Sequence, residues 1–214
     1  MLGPLPVPTE YPSKEHLRLH ELVTGFAAGA QRPEDYLTEF RAGLSGLVHR
    51  YTACSASCRA LVASEARDRV TYDQDRDYFG FVVNGLAAMD TFSYAAYAAG
   101  ATFWPHLFPF ASEAARRAVG PRSTARAYDL AGEAEFAALF NTILDSQDHR
   151  AWRKYHTVLS HRAGGTTGFH AAANTEGAHA SVQGMQQWLD ETLAVLLAGL
   201  VAVAERQRAP QGGR

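Results

Sequence analysis

Hydrophobic positions along the chain recur at helical spacing in nearly every segment. The clearest case follows Arg32-Pro33, where apolar residues repeat in alternating steps of three and four: Leu37, Phe40, Leu44, Leu47, Tyr51, Cys54, Cys58 and Leu61. Such steps form a seam along one face of a long helix in a bundle. Almost no segment shows the period of two that strands require. The pattern therefore predicts an all-α fold.

Six further helices are predicted from apolar periodicity and from start and stop signals. They cover approximately residues 13–28, 78–97, 111–119, 133–144, 148–162 and 181–207. Asp145-Ser146 is the expected N-cap of the helix over 148–162. Together these segments predict an up-and-down bundle of about five to seven helices.

The domain organisation predicted from the sequence is simple. Residues 13–207 are long enough to bury one hydrophobic core and form a single domain. Four prolines in residues 1–12 predict a flexible N-terminus, and residues 208–214 are expected to be a disordered tail.

Composition limits the class of protein. Hydrophobic residues make up 47% of the chain and charged residues 20%, values that exclude wholesale disorder. The formal net charge is −2, so no global basic field indicates a nucleic-acid binder, although a local basic patch remains possible.

Cysteine usage and the apolar runs favour a cytoplasmic protein that does not span a membrane. Cys54 and Cys58 lie four apart in a predicted helix and are expected to be core residues rather than metal or redox ligands. The start of the chain lacks the basic region of a signal peptide. The longest apolar run, 193–204, falls short of the roughly 20 residues that span a bilayer. We expect it to be a core helix or a subunit interface.

One acidic residue stands out in the most apolar helix. Residues 78–97 are apolar almost all round, which is typical of the central helix of a bundle, and Asn84 and Asp90 interrupt them. A carboxylate in such a helix is costly unless it is paired. We therefore expect Asp90 to meet an arginine, a histidine or a backbone donor of a neighbouring helix, either as a structural pair or as part of a site.

The helix over 148–162 concentrates basic residues, histidines and aromatics. Trp152, Tyr155 and Leu159 form one apolar stripe, with His156 on its flank. The opposite side carries residues spaced i, i+4, i+7 and i+11: Arg150, Lys154, Thr157 and His161. This cationic face is either simply solvated or binds RNA through Arg150 and Lys154.

Three segments together resemble the helical bundles of the HEPN superfamily. They are the apolar helix with Leu86-Ala-Ala-Met-Asp90, the stretch Trp152-Arg-Lys-Tyr-His-Thr-Val-Leu-Ser-His-Arg162, and the long closing helix. The resemblance covers roughly residues 78–206. It implies a homodimer associated with RNA, because many members of that family are RNA-cleaving toxins or RNA-processing domains that act as dimers through an Arg-x4-6-His motif.

The family motif is altered in this sequence. The corresponding stretch is His156-Thr-Val-Leu-Ser-His161-Arg162, which keeps the histidine and has His156 in place of the arginine. A second register, from Arg150 to His156, fits the spacing but places Ala151 where the family has a polar residue. The resemblance thus implies either a degenerate, non-catalytic member or an active ribonuclease.

RNA cleavage without a metal ion or any other cofactor would use His161 as the base. His156 and Arg162 would stabilise charge on the phosphate, and Asp90 is a further candidate catalytic residue. In a straight helix His156 and His161 are about 140° apart, so they converge only if the helix unwinds before Gly164 or a dimer supplies a second copy.

Two other functions remain open on the sequence alone. A DinB-like four-helix bundle would hold a divalent metal ion through histidines of several helices, and His16 and His20 supply an i, i+4 pair without a third ligand. A small-molecule-binding bundle would have its pocket near Trp104, Trp152 and Trp188.

Overall fold

The computed structural model describes residues 6–64, 72–161 and 181–208. These residues form eight helices and no strand: α1 (Ser13–Gly29), α2 (Glu34–Ser64), α3 (Tyr72–Phe103), α4 (Glu113–Arg117), α5 (Pro121–Leu130), α6 (Ala134–Leu144), α7 (Gln147–His161) and α8 (Val182–Arg208). The all-α bundle predicted from the sequence is confirmed. The eighth helix is α5, which the apolar pattern did not predict.

The two longest helices, α2 and α3, pack against each other in antiparallel orientation. Gly43, early in α2, lies against Ala95, late in α3, and a Cβ added at Gly43 would come within 2.9 Å of the Ala95 Cα. Further along, Arg50 donates to the Oδ1 of Asn84 at 3.0 Å. The absence of a side chain at Gly43 therefore permits the close approach of the two backbones.

Helix α8 closes the core against α2. The hydroxyl of Tyr51 donates to the Asp190 carboxylate at 2.7 Å, and the Cys54 thiol lies 3.4 Å from the Gln186 side-chain oxygen. Tyr51 is completely buried. Cys54 and Cys58 are buried thiols that form no disulfide among the described residues, which confirms the prediction that they are core residues.

Helix α8 is the one helix among the described residues that is long and apolar enough to cross a membrane by length and composition. Core helices of soluble proteins pass the same test. Its leucines at one face are fully enclosed within this chain: Leu189, Leu193, Leu196, Leu197 and Leu200. One face of the apolar run of α8 is thus a core face, while Val195 on the other side of the helix is 48% exposed.

Helix α5 is fixed to α3 by hydrogen bonds from buried side chains. Tyr128 donates to the carbonyl of Ala96 at 2.7 Å, and Thr124 donates to the carbonyl of Ser93 at 3.2 Å. Because both donors are side chains of α5 and both acceptors lie in α3, the start of α5 is held beside the middle of α3. This attachment forms one wall of the site described below.

Candidate functional site

Helix α7 is positioned by the apolar stripe predicted from the sequence. Trp152 is 1% exposed and Tyr155 3% exposed, and the Trp152 ring lies 4.8 Å from the ring of Phe81. At the start of the helix the Ser146 hydroxyl accepts a hydrogen bond from the backbone N–H of His149 at 3.1 Å, which confirms the predicted N-cap. Docking by Trp152 leaves the adjacent face of α7 open to a cleft.

The cleft has a volume of about 450 Å³, within the range of small-molecule sites, and lies between α3 and α7. The first residues of α5 and the last residue of α6 complete its wall. Its lining is Val83, Leu86, Ala87, Asp90, Pro121, Arg122, Leu144, His149, Arg153, His156 and Thr157. Two of the residues singled out from the sequence, Asp90 and His156, therefore share one cleft that reaches solvent.

His149 is held in a defined tautomer. Its Nδ1 lies 3.0 Å from the carbonyl oxygen of Leu144, and a carbonyl can only accept, so Nδ1 carries the hydrogen. The Nε2 of the neutral ring is then an acceptor. Burial lowers the pKa of His149, and this outweighs the opposing effects of the Leu144 carbonyl and Asp90. His149 is therefore a neutral base in the cleft.

Asp90 faces these groups across the cleft from α3. Its side chain keeps solvent access, yet the surrounding protein replaces part of its water shell, and this raises the pKa of the carboxyl. The charges of His149, Arg153 and His156 oppose the increase without cancelling it. The Asp90 carboxylate makes no hydrogen bond or close ion pair with the described residues. The expected cationic partners are nearby, although none is in direct contact.

The two arginines of the cleft differ in whether their guanidinium groups already have protein partners. Arg122 forms an ion pair with Asp145, holds the pKa of that carboxyl below its usual range, and donates to Asn141 at 3.2 Å. Arg153 is exposed, and within the described ranges its guanidinium makes no hydrogen bond or ion pair. Arg153 is therefore the cation of the cleft that is available to a ligand.

The other predicted site residues lie elsewhere. Arg150 donates to the backbone carbonyls of Asp145 at 2.8 Å and Ser146 at 3.3 Å, in the turn that follows α6. Lys154 is exposed. The α7 backbone is helical through His161, so positions 156 and 161 remain on different sides of the helix. The side chain of His161 and the whole of Arg162 lie outside the described residues.

Three cleft residues were not predicted from the sequence: Arg122, His149 and Arg153. A signal for two of them was present, because His149, Arg153 and His156 are spaced i, i+4 and i+7 and therefore share a face of α7. The stripe chosen from the sequence, through Arg150 and Lys154, is one residue away from that face.

The features expected of a metal centre or a tryptophan pocket are not found among the described residues. No group of three His, Cys, Asp or Glu side chains is arranged there to hold a metal ion. His16 and His20 do line one cleft together with His49. Trp152 packs beside Gly85, and the Trp188 ring lies 6.4 Å from the ring of His149. Trp104 follows the far end of α3, so the three tryptophans do not line one pocket.

Comparison of the chain with protein-family models, curated proteins and solved structures found no match.

Proposed function

We propose that the protein binds single-stranded RNA, with one phosphodiester group held in the cleft between α3 and α7. The observation that carries the proposal is the convergence of Arg153, His149 and His156 on one cleft of about 450 Å³. An arginine without a hydrogen-bonded acidic partner is a group that binds phosphate in proteins, and the acceptor Nε2 of His149 can receive a hydrogen bond from a ribose hydroxyl beside that phosphate. The resemblance to the HEPN superfamily supports RNA as the phosphate-bearing ligand.

Each residue has a distinct role in this proposal. Arg153 supplies the charge-assisted hydrogen bonds to the phosphate oxygens, because Arg122 is already held by both carboxylate oxygens of Asp145 and by the side chain of Asn141. The Asp90 carboxylate, which lines the same cleft, can accept a hydrogen bond from a ribose hydroxyl. The apolar side chains of Val83 and Leu86 provide a surface for a base or sugar.

The experiment is titration of a fluorescently labelled single-stranded RNA, followed by anisotropy. Arg153→Gln should weaken binding by about tenfold, which corresponds to the loss of one charged hydrogen-bonded contact. Arg126→Gln is the matched control, because Arg126 is exposed on α5 outside the cleft and its loss changes the net charge equally. Equal effects of the two substitutions would contradict a site in the cleft.

RNA cleavage in the same cleft is a second candidate, favoured by the pKa changes of two facing groups. Burial keeps His149 neutral, so that its Nε2 can take the proton of the ribose 2′-hydroxyl. The 2′-oxygen then attacks the phosphorus, and the bond to the 5′-oxygen breaks. The raised pKa of Asp90 helps it retain a proton to give to that leaving oxygen. Arg153 stabilises the charge of the phosphorane.

Cleavage is tested with the same RNA and with its 2′-deoxy analogue, which lacks the attacking group. The expected result is a 2′,3′-cyclic phosphate product from RNA only, lost in His149→Gln and Asp90→Asn. Loss of cleavage with retained binding in these variants would separate the chemistry from RNA binding. Binding without any cleavage by the unaltered protein would leave RNA binding as the function.

We further propose that the protein acts as a homodimer, as the resemblance implies, and in the cytoplasm, as its cysteine usage favours. The buried leucines of α8 no longer support a dimer, because they are used within the chain. Light scattering of the purified protein gives the mass directly, since one chain has a mass of 23.3 kDa. A monomer at all concentrations would contradict the dimer and leave the RNA proposal intact.

A further inference from the structure

A second cleft lies on the opposite side of α2 from α3, between α1, α2 and the segment before α1. Its volume is about 810 Å³. Apolar side chains along its floor include Leu44 and Val48, and Val7 borders it from the N-terminal segment. Among the described residues that line the cleft, none is acidic. Four are basic side chains: Arg41, His16, His20 and His49. The cleft therefore combines an apolar floor with a rim that carries one guanidinium and three imidazoles.

Thr52, which borders this cleft, has an unused hydroxyl. The residue is 5% exposed, and its Oγ1 has no hydrogen-bond partner. Thr91 and Thr157 donate to the backbone carbonyls of Ala87 and Arg153 within their own helices, whereas Thr52, like Thr24 of α1, has no such partner. A buried unpaired hydroxyl is destabilising. Rotation about χ1 exchanges the hydroxyl and the methyl group of Thr52, which lets a molecule in the cleft supply the missing partner.

Polar groups lie at both ends of the apolar floor. Arg41 and Thr52 are separated by about 16 Å along the axis of α2, with Leu44 and Val48 between them. The exposed ion pair of Arg41 with Glu34, at 3.2 Å, is weak enough for a ligand to replace.

Near the Thr52 end, His16 is oriented by the buried Tyr11, whose hydroxyl lies 2.7 Å from its Nδ1. The Tyr11 hydroxyl can donate to Nδ1, which leaves Nε2 as the nitrogen that carries hydrogen. That Nε2 is then a donor to an anion.

We propose that this cleft binds a medium-chain α,ω-dicarboxylate. One carboxylate pairs with Arg41, the methylene chain covers Leu44 and Val48, and the second carboxylate accepts hydrogen bonds from Thr52 and His16. An anion is favoured over a cation because the residues that line the cleft include the guanidinium of Arg41 and no carboxylate. Two charged ends are favoured over one because the donors lie at both ends of the floor.

The test is isothermal titration calorimetry of the full chain with decanedioate, decanoate and decane-1,10-diol. Decanedioate should bind, and the decanoate and diol affinities should be lower by about tenfold or more, since each lacks at least one charged contact. Ser45→Trp should abolish binding by filling the cleft, because Ser45 is an exposed residue of its lining. Ala42→Trp is the matched control on an exposed position of α2 outside the lining.

Two polar substitutions test the ends of the site. Arg41→Gln should weaken decanedioate binding by about tenfold while Arg59→Gln, further along α2, leaves it unchanged. Thr52→Val should weaken binding and also raise the melting temperature of the ligand-free protein, because the variant removes an unpaired hydroxyl.

Several results would overturn the proposal. Decanedioate would fail to bind, or decanoate or the diol would bind as tightly as decanedioate. The third such result is decanedioate binding that persists in Ser45→Trp. Folding of every variant is checked by circular dichroism.

Discussion

Gly85 of α3 lies directly beneath the indole ring of Trp152 of α7. The nearest atoms to a Cβ added at Gly85 are three carbons of that ring, and such a methyl group would overlap them. Trp152 is the largest completely enclosed side chain of α7, and it fixes the rotation of the helix about its axis. That rotation directs His149, Arg153 and His156 into the cleft, so the fit of Trp152 onto Gly85 determines the geometry of the candidate site.

The first prediction concerns this fit. Gly85→Ala should lower the free energy of unfolding by about 1–3 kcal/mol, because the added methyl group overpacks a rigid aromatic contact. Gly25→Ala is the control, since Gly25 lies within α1 with nothing near its added Cβ, and it should stabilise the protein by up to about 1 kcal/mol. Urea unfolding measures both. Similar effects at the two positions would show that the ring does not rest on Gly85.

A second prediction addresses the partly buried hydrogen bond between Tyr51 of α2 and Asp190 of α8. Tyr51→Phe removes the donor to Asp190 and should destabilise the protein by about 1.5–3 kcal/mol, the range for hydrogen bonds to charged groups. Tyr72→Phe, at a tyrosine that is 83% exposed, should change the free energy of unfolding by less than about 0.5 kcal/mol. If both variants unfold at the same urea concentration, the bond contributes nothing.

Asp90→Asn gives a prediction for stability as a function of pH. The carboxyl has a raised pKa in the folded protein, so the folded state binds its proton more tightly than the unfolded state does. The ionised carboxyl therefore destabilises the fold above the raised pKa, and this penalty disappears below the ordinary value near 3.8. Asp90→Asn should raise the melting temperature at neutral pH and leave it unchanged at about pH 3. A lowered melting temperature at neutral pH would show that Asp90 stabilises the fold through its cationic neighbours.

The helices were predictable wherever large apolar side chains mark the buried face. The seam from Leu37 to Leu61 is the buried face of α2, and the stripe of Trp152 and Tyr155 is the buried face of α7. Helix α5 was missed because it carries little such signal. Its buried residues are Thr124, Ala125, Ala127 and Tyr128, and the basic residues around them indicated only a solvated cluster.

The candidate site was predictable only in part, for two physical reasons. On a helix, one residue corresponds to about 100° of rotation, so choosing the stripe through Arg150 instead of His149 moved the predicted site to a neighbouring face. The wall formed by Pro121 and Arg122 depends on how α5 packs on α3, which local periodicity does not encode. Asp90 was found because a polar residue in an apolar helix is visible in the sequence itself, whereas His156 was singled out by its place in the Arg-x4-6-His spacing.

A fourth prediction concerns the salt dependence of RNA binding. The logarithm of the affinity should fall linearly with the logarithm of the salt concentration, and Arg153→Gln should reduce the slope by about 0.7, the value for one phosphate contact on a single strand. Arg126→Gln should leave the slope unchanged. A slope that is equal in the unaltered protein and in Arg153→Gln would place the phosphate contacts elsewhere on the surface.

The central claim is that RNA enters the cleft formed by α3 and α7. The most direct measurement is the ¹H–¹⁵N NMR spectrum of the histidine rings during titration with single-stranded RNA, with the resonances assigned through His149→Gln and His156→Gln. The account predicts that the His149 and His156 signals shift together with the binding isotherm while that of His49, in the other cleft, stays in place. Saturable RNA binding with both cleft histidines unchanged would contradict it.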